Sequence, residues 1–238
     1  MGNSDLDARI SDNGSLPTPE VLLFDVYETL SDTSPLGGRF VDVGAPAHLA
    51  RTWLTTVLLH GFALAAARAP AHFTPLAVGT LRTSLAGLPL NRTVDEAVAH
   101  IMGGFDELDL HSDVPEGLST LVALGPRLVT LSNGEVSVAE RLFARAGVSG
   151  HFERHLSTED AGIWKPAPAA YAHAAGRCRA RPATMMLVAV HPWDINGAHL
   201  AGLRTAWINR TGATYPEYFN APTLEAKSLT HFALLLGS

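Results

Sequence analysis

The stretch "LLFDVYETL", residues 22 to 30, decides the fold. Three apolar residues run into Asp25, and Val26, Tyr27, Glu28 and Thr29 follow in what reads as a tight loop. A continuous apolar run predicts a strand covered on both faces, the habit of parallel sheets. A carboxylate at the end of such a strand is a candidate nucleophile. A second carboxylate three residues later calls for a division of labour.

Working outward, similar runs recur: "PRLVTLSN" (126 to 133), "TMMLVAV" (184 to 190) and "RTAWINR" (204 to 210). Between them lie helical patterns over 136–146, with Gly147 as a stop, over 168–177, and over 196–201, with Gly202 beyond. This alternation predicts an α/β fold, a doubly wound, Rossmann-like parallel-sheet core. Residues 37–112 break the rhythm, with helical patterns over 47–67, 75–86 and 94–105 and no convincing strand. They are expected to form an all-helical cap inserted into a core of residues 20–36 and 113–238. Residues 1–19 read as a mobile tail.

Composition narrows the function. The chain has 238 residues, 47% apolar and 17% charged, enough for a sizeable buried core. Its net charge is −6 and it has no basic block, so no nucleic-acid partner is expected. The single cysteine, Cys178, cannot form an intramolecular disulfide, which fits a cytoplasmic location. The N-terminal stretch lacks the apolar segment of a secretory signal. The longest apolar stretch, 53–67, is broken by His60 and Gly61 and is expected to be too short to span a bilayer.

Each of the first three core strands ends in polar residues. These are Asp25 on the first, Ser132 and Asn133 on the second, His191 and Asp194 after the third. Lys165 lies in the loop "GIWKPAP" before a helix. Ligands of open parallel sheets bind at the carboxyl ends of the strands. These six residues are therefore expected to converge on one crevice.

Four segments in order, "FDVYETL", "LSNG", "KPAPAAY" and "VHPWDINGA", with "WINRTG" adding to the likeness, resemble the haloacid dehalogenase superfamily. Within it they resemble the type II 2-haloacid dehalogenases, over roughly residues 20–232. The resemblance implies a hydrolase that needs no metal and no cofactor and acts on a small 2-haloacid. Asp25 would displace halide from C2, and water would hydrolyse the resulting ester to a 2-hydroxy acid of inverted configuration. Lys165 would be the counter-charge of Asp25, oriented by Asp194. Ser132 and the backbone N–H groups of Val26 and Tyr27 would cradle the substrate carboxylate. Asn133 would face the departing halide, Thr29 would hydrogen-bond around Asp25, and Tyr171 would complete the site. The resemblance also implies a homodimer through cap helices.

Phosphatase members of the superfamily carry an aspartate where this chain has Tyr27. A Mg²⁺-dependent phosphate-monoester hydrolase using Asp25 and Asp194 is therefore the second reading, and a non-catalytic protein on the same fold the third. Three departures stand out from the dehalogenase pattern. Glu28 replaces a usual glycine, and His191 replaces a usual asparagine. Leu54, after Trp53, stands where a halide-binding arginine is expected; Arg39, Arg51 and His60 are alternatives. Trp53, Phe62 and Phe73 are candidate pocket walls. Glu28 and His191 are expected to pair as a general base for the hydrolytic water, a role worth about 10²–10⁴-fold.

Overall fold

The computed structural model describes residues 17–238 except residue 70, so most of the N-terminal segment expected to be mobile lies outside the described residues. Strand β1 (Val21–Phe24) leads into the short β2 (Ser31–Asp32). Four helices follow: α1 (Leu36–Asp42), α2 (Leu49–Ala66), α3 (Phe73–Leu85) and α4 (Val94–Gly103). The short β3 (Asp109–Leu110) pairs antiparallel with β2 and closes the stem of this helical segment. The chain then alternates as α5 (Val114–Ala123), β4 (Arg127–Ser132), α6 (Val136–Arg145), β5 (Arg154–Ser157) and α7 (Pro168–Cys178). It ends with β6 (Met185–Ala189), α8 (Pro192–Leu200), β7 (Arg204–Ile208), β8 (Leu224–Ala226) and α9 (Leu229–Leu236).

The main sheet has six parallel strands in the order β5-β4-β1-β6-β7-β8. The apolar run around Asp25 supplies its centre because both faces are covered. Leu22 and Phe24 pack into one apolar cluster, Val21 and Leu23 into the other. On β6, Met186 and Val188 face the first cluster, and Met185, Leu187 and Ala189 the second. That is the two-residue period of a strand buried on both sides.

The four apolar runs form the expected strands. β2, β3, β5 and β8 were not expected, β3 lying inside the segment expected to be all helical; all four are short, with polar or half-exposed positions, and β5 and β8 are the edges of the main sheet. α8 starts four residues before the expected helix. His191 is its N-cap and Pro192 its first residue, a place where proline's missing N–H costs nothing. Asp194 therefore lies within the first turn of α8 and not ahead of it.

A third apolar cluster fills the helical segment, with Phe40, Trp53, Leu81 and Ile101 fully buried. By length and composition α2, with 18 residues and a mean hydropathy of 1.2, is apolar enough to cross a bilayer, contrary to the expectation for that stretch. Here its Trp53 and Val57 are buried in this cluster. Trp164, from the loop before α7, also enters it. Its indole donates to the Ala71 carbonyl at 2.8 Å, and its ring lies where a side chain on Gly61 would sit. The residue before Lys165 thus anchors the helical segment to the sheet.

Candidate active site

β1, β4 and β6 lie side by side, so the loops leaving their carboxyl ends meet. Asp25 leaves β1 with its backbone N–H bonded to the Val188 carbonyl of β6 at 3.1 Å. Its side chain is 7% exposed. Lys165 Nζ lies 2.7 Å from Asp25 Oδ1 and 2.6 Å from Asp194 Oδ2. The lysine is fully buried, a state a cation tolerates only when paired and hydrogen-bonded. Asp194 is held in turn by the Tyr171 hydroxyl, which donates to its Oδ1 at 2.5 Å. That approach is close enough that a side chain at Gly197 would collide with the phenol.

The other carboxylate oxygen of Asp25 has different neighbours. Thr29 donates its hydroxyl to Oδ2 at 2.7 Å, and His191 Nδ1 lies 3.2 Å from it. His191 Nε2 is 2.8 Å from Glu28 Oε2. Glu28 holds a left-handed backbone with φ of 63°, which favours glycine, and its carbonyl accepts from His111 Nε2 at 3.0 Å.

Electrostatics follow from this geometry. Burial pushes the Asp25 carboxyl up, but Lys165 and His191 outweigh it and hold it well below the usual carboxylate range. Burial pulls Lys165 down, yet Asp194 and Asp25 keep it above its ordinary value. The hydrogen bond to His191 lowers Glu28 against the effect of burial. Burial opposes protonation of His191, but its bonds to Asp25 and Glu28 push it up to about 9. Glu28 and His191 pair, as expected. With Asp25 ionised, both ring nitrogens face carboxylate oxygens, so both donate and the ring is held as an imidazolium.

Asp25, Glu28, Thr29, Lys165, His191 and Asp194 form one connected hydrogen-bonded cluster. Thr29 hydrogen-bonds Asp25 as expected, whereas the side chains of Tyr171, Ser132 and Val26 have structural partners. Tyr171 is fully buried against Asp194, so it positions that residue. Thr29 is buried between Asp25 and the Val190 N–H. The Ser132 hydroxyl accepts the Gly134 N–H at 2.9 Å and shapes the turn after β4. The Val26 side chain belongs to the sheet core. The backbone N–H groups of Val26 and Tyr27 have no acceptor among the described residues and remain available for an anion.

Asn133 Oδ1 accepts the Lys165 N–H at 2.9 Å and the Thr158 hydroxyl at 3.2 Å, which fixes its amide group beside Asp25. A cavity of about 40 Å³ covers Asp25, walled by Tyr27, Glu28, Thr33, Leu54, Leu58, Phe73, Asn133, His191 and Trp193. Phe73 stacks on Tyr27 with ring centroids 5.3 Å apart. Trp53 is not a wall; it is a core residue whose indole donates to the Ala77 carbonyl and to Thr80. Phe62 packs edge-on against Trp193 behind the wall.

Among the described residues no arginine lines the inner cavity in place of Leu54. Arg39 pairs with Glu107, and His60 is exposed. Arg51 lines a separate, open cleft of about 610 Å³, which also reaches Glu28 and His191. Thr158, Trp164, Trp193 and His111 were missed as contributors. Trp164 and Trp193 adjoin motif residues in sequence, and that adjacency was the signal available.

The residues also bear on a metal. Lys165 Nζ bridges the carboxylates of Asp25 and Asp194, the two residues the phosphatase reading would give to a cation. Tyr27 supplies no carboxylate, and burial raises its phenol above the ordinary range.

The comparisons agree with the motifs. A family model described as haloacid dehalogenase-like hydrolase matches residues 19–202. An (S)-2-haloacid dehalogenase 4A of Burkholderia cepacia is 30% identical, over 84% of this chain and 87% of its own length. An (S)-2-haloacid dehalogenase of Pseudomonas sp. (strain YL) is 26% identical, over 87% and 90% respectively. A crystal structure of an L-2-haloacid dehalogenase superposes with a TM-score of 0.87 at 27% identity, over 93% of this chain and all of that one. With its parallel core, its strand-end aspartate and its buried lysine, this chain belongs to the haloacid dehalogenase-like hydrolases.

Proposed function

We propose that this chain hydrolyses the carbon–halogen bond of short (S)-2-haloacids, with inversion to the (R)-2-hydroxy acid. The observation that carries the reading is an ionised Asp25 held by Lys165 under a small, mostly apolar cavity. Asp25 attacks C2, halide departs, and an ester joins Asp25 to the substrate. The N–H groups of Val26 and Tyr27 take the substrate carboxylate. Asn133 faces the halide. Lys165, Asp194 and Tyr171 keep Asp25 charged and aligned.

A cavity of about 40 Å³ favours the smallest haloacids. With Leu54 in place of an arginine, halide departs into apolar walls and the Asn133 amide. A cytoplasmic location and dimer contact through the cap helices belong to the same proposal. Leu59 on α2, 62% exposed, is an apolar residue available for such contact.

Halide release from chloroacetate and from each enantiomer of 2-chloropropionate, without added metal, tests the reading. Release from chloroacetate and the (S)-enantiomer alone is expected. Hydrolysis of an aryl phosphate with Mg²⁺, and no halide release, would replace it with the phosphatase reading.

A further inference from the structure

The proposed reaction leaves one pair of residues without a task. His191 and Glu28 sit between the inner cavity and the open cleft, and line both. Glu28 keeps a left-handed backbone, a conformation that disfavours any residue but glycine. Strain retained at a site suggests that the side chain is needed there.

The lone pairs of Asp25 assign the roles of its two oxygens. A carboxylate oxygen has two acceptor positions. Oδ2 fills both, with Thr29 and His191, whereas among the described residues Oδ1 receives only Lys165. Oδ1 therefore keeps the free lone pair and is the attacking atom. After attack Oδ1 is the alkyl oxygen of the ester and Oδ2 is its carbonyl oxygen.

Resting on the proposed dehalogenase reading, we propose that His191 is a catalytic electrophile: its Nδ1–H takes the charge that forms on Oδ2 when water attacks the ester. Glu28 is the residue that positions it. Water bonds to Cγ, and the carbonyl π pair moves onto Oδ2, where Thr29 and His191 donate. The pair then returns, the Cγ–Oδ1 bond breaks, and Oδ1 leaves as the hydroxyl oxygen of the product, protonated by Lys165. Of the two water protons, one replaces that given by Lys165 and the other leaves through the cleft. Asp25 is restored as a carboxylate carrying one oxygen from water.

The surroundings favour this role over that of a base. Nδ1 points at Oδ2, with no space for a water between them, and Nε2 is occupied by Glu28. The Trp193 ring lies 5.0 Å from the imidazole, tilted by 30°, and so supports a cation. The charged groups facing His191 are Asp25 and Glu28. Lys165 and Asp194 stand behind Asp25, and Arg51 of α2 lines the cleft with Glu28.

The test is rapid-quench mass spectrometry of single turnovers of (S)-2-chloropropionate from pH 6 to 10. Wild type, His191→Phe, His191→Asn and Glu28→Gln are compared, with thermal unfolding to confirm that each folds. His191→Phe is expected to form the ester on Asp25 and to break it down about 10²–10³-fold more slowly, the usual cost of one lost oxyanion donor. His191→Asn, which keeps a neutral donor, should recover part of the rate and lose the pH dependence of that step. In wild type, ester breakdown should fall as pH rises and His191 loses its proton. In Glu28→Gln that fall should begin at lower pH.

A wild-type breakdown rate that climbs with pH to a plateau would instead mark a base and overturn the proposal. So would ester breakdown in His191→Phe at the wild-type rate. Halide release with no ester on any of the four proteins would remove the nucleophile reading itself, and the proposal with it.

Discussion

The two flanks of Asp25 make an instructive contrast. On one side Lys165, Asp194 and Tyr171 are each fully buried, and their polar atoms are satisfied by one another. On the other, His191 and Glu28 side chains are 16% and 44% exposed, and they open onto the cleft. Both flanks place a cation against the nucleophile, but only the closed one is sealed from solvent. A sealed cation tunes the charge of Asp25 out of reach of bulk solvent. An open one can act on a step that water takes part in, and can be titrated. The sealed flank follows the family pattern, and the open flank holds two of the departures from it.

The comparison breaks first at the residue the flanks share. Asp25→Asn should abolish halide release from every 2-haloacid, measured by ion chromatography. Next comes Lys165→Met, which leaves Asp25 and Asp194 as buried charges without their cation. Breaking such a pair costs about 3–5 kcal/mol, so urea unfolding should show a loss of that size with activity lost as well. Glu28→Gln should change stability by about 1 kcal/mol or less, as expected of an exposed pair. Equal losses for the two variants would erase the distinction between the flanks.

A smaller effect concerns the cavity over both. Phe73→Ala removes a wall, so kcat/KM for 2-chlorobutyrate relative to chloroacetate should rise about 10-fold, the scale of one methylene in an apolar pocket. The smallest effect is a pH-dependent one. His191 is raised from 6.5 to about 9 on folding, so its ion pairs stabilise most fully below pH 6.5 and fade as pH passes 9. The Tm difference between wild type and Glu28→Gln should therefore be largest near pH 6 and close above pH 9.

Much of this was legible in the sequence where residues act through their own run or motif. "LLFD" predicts a two-faced strand because every residue before Asp25 is apolar, and that strand is the centre of the sheet. The motif segments led to Asp25, Lys165 and Asp194. β5 and β8 were not legible, because an edge strand is set by its neighbour's hydrogen bonds and not by an apolar run. Nor was the seat of Tyr171, whose hydroxyl meets a residue 23 positions away. The pairing of Glu28 with His191 was legible as two departures on one crevice. The proton state of the pair was not, because it depends on Asp25 occupying the second ring nitrogen. Trp164 shows the same limit: its place in the helical segment depends on Gly61, about a hundred residues earlier.

The most direct test of the account locates the covalent step. Quenched single turnovers with (S)- and (R)-2-chloropropionate, followed by proteolysis and peptide mass mapping, would show whether the peptide containing Asp25 gains one propionate unit. The account predicts that gain with the (S)-enantiomer only, transient in wild type and absent in Asp25→Asn. Halide released from the (S)-enantiomer while the Asp25 peptide stays unmodified at every time point would contradict it.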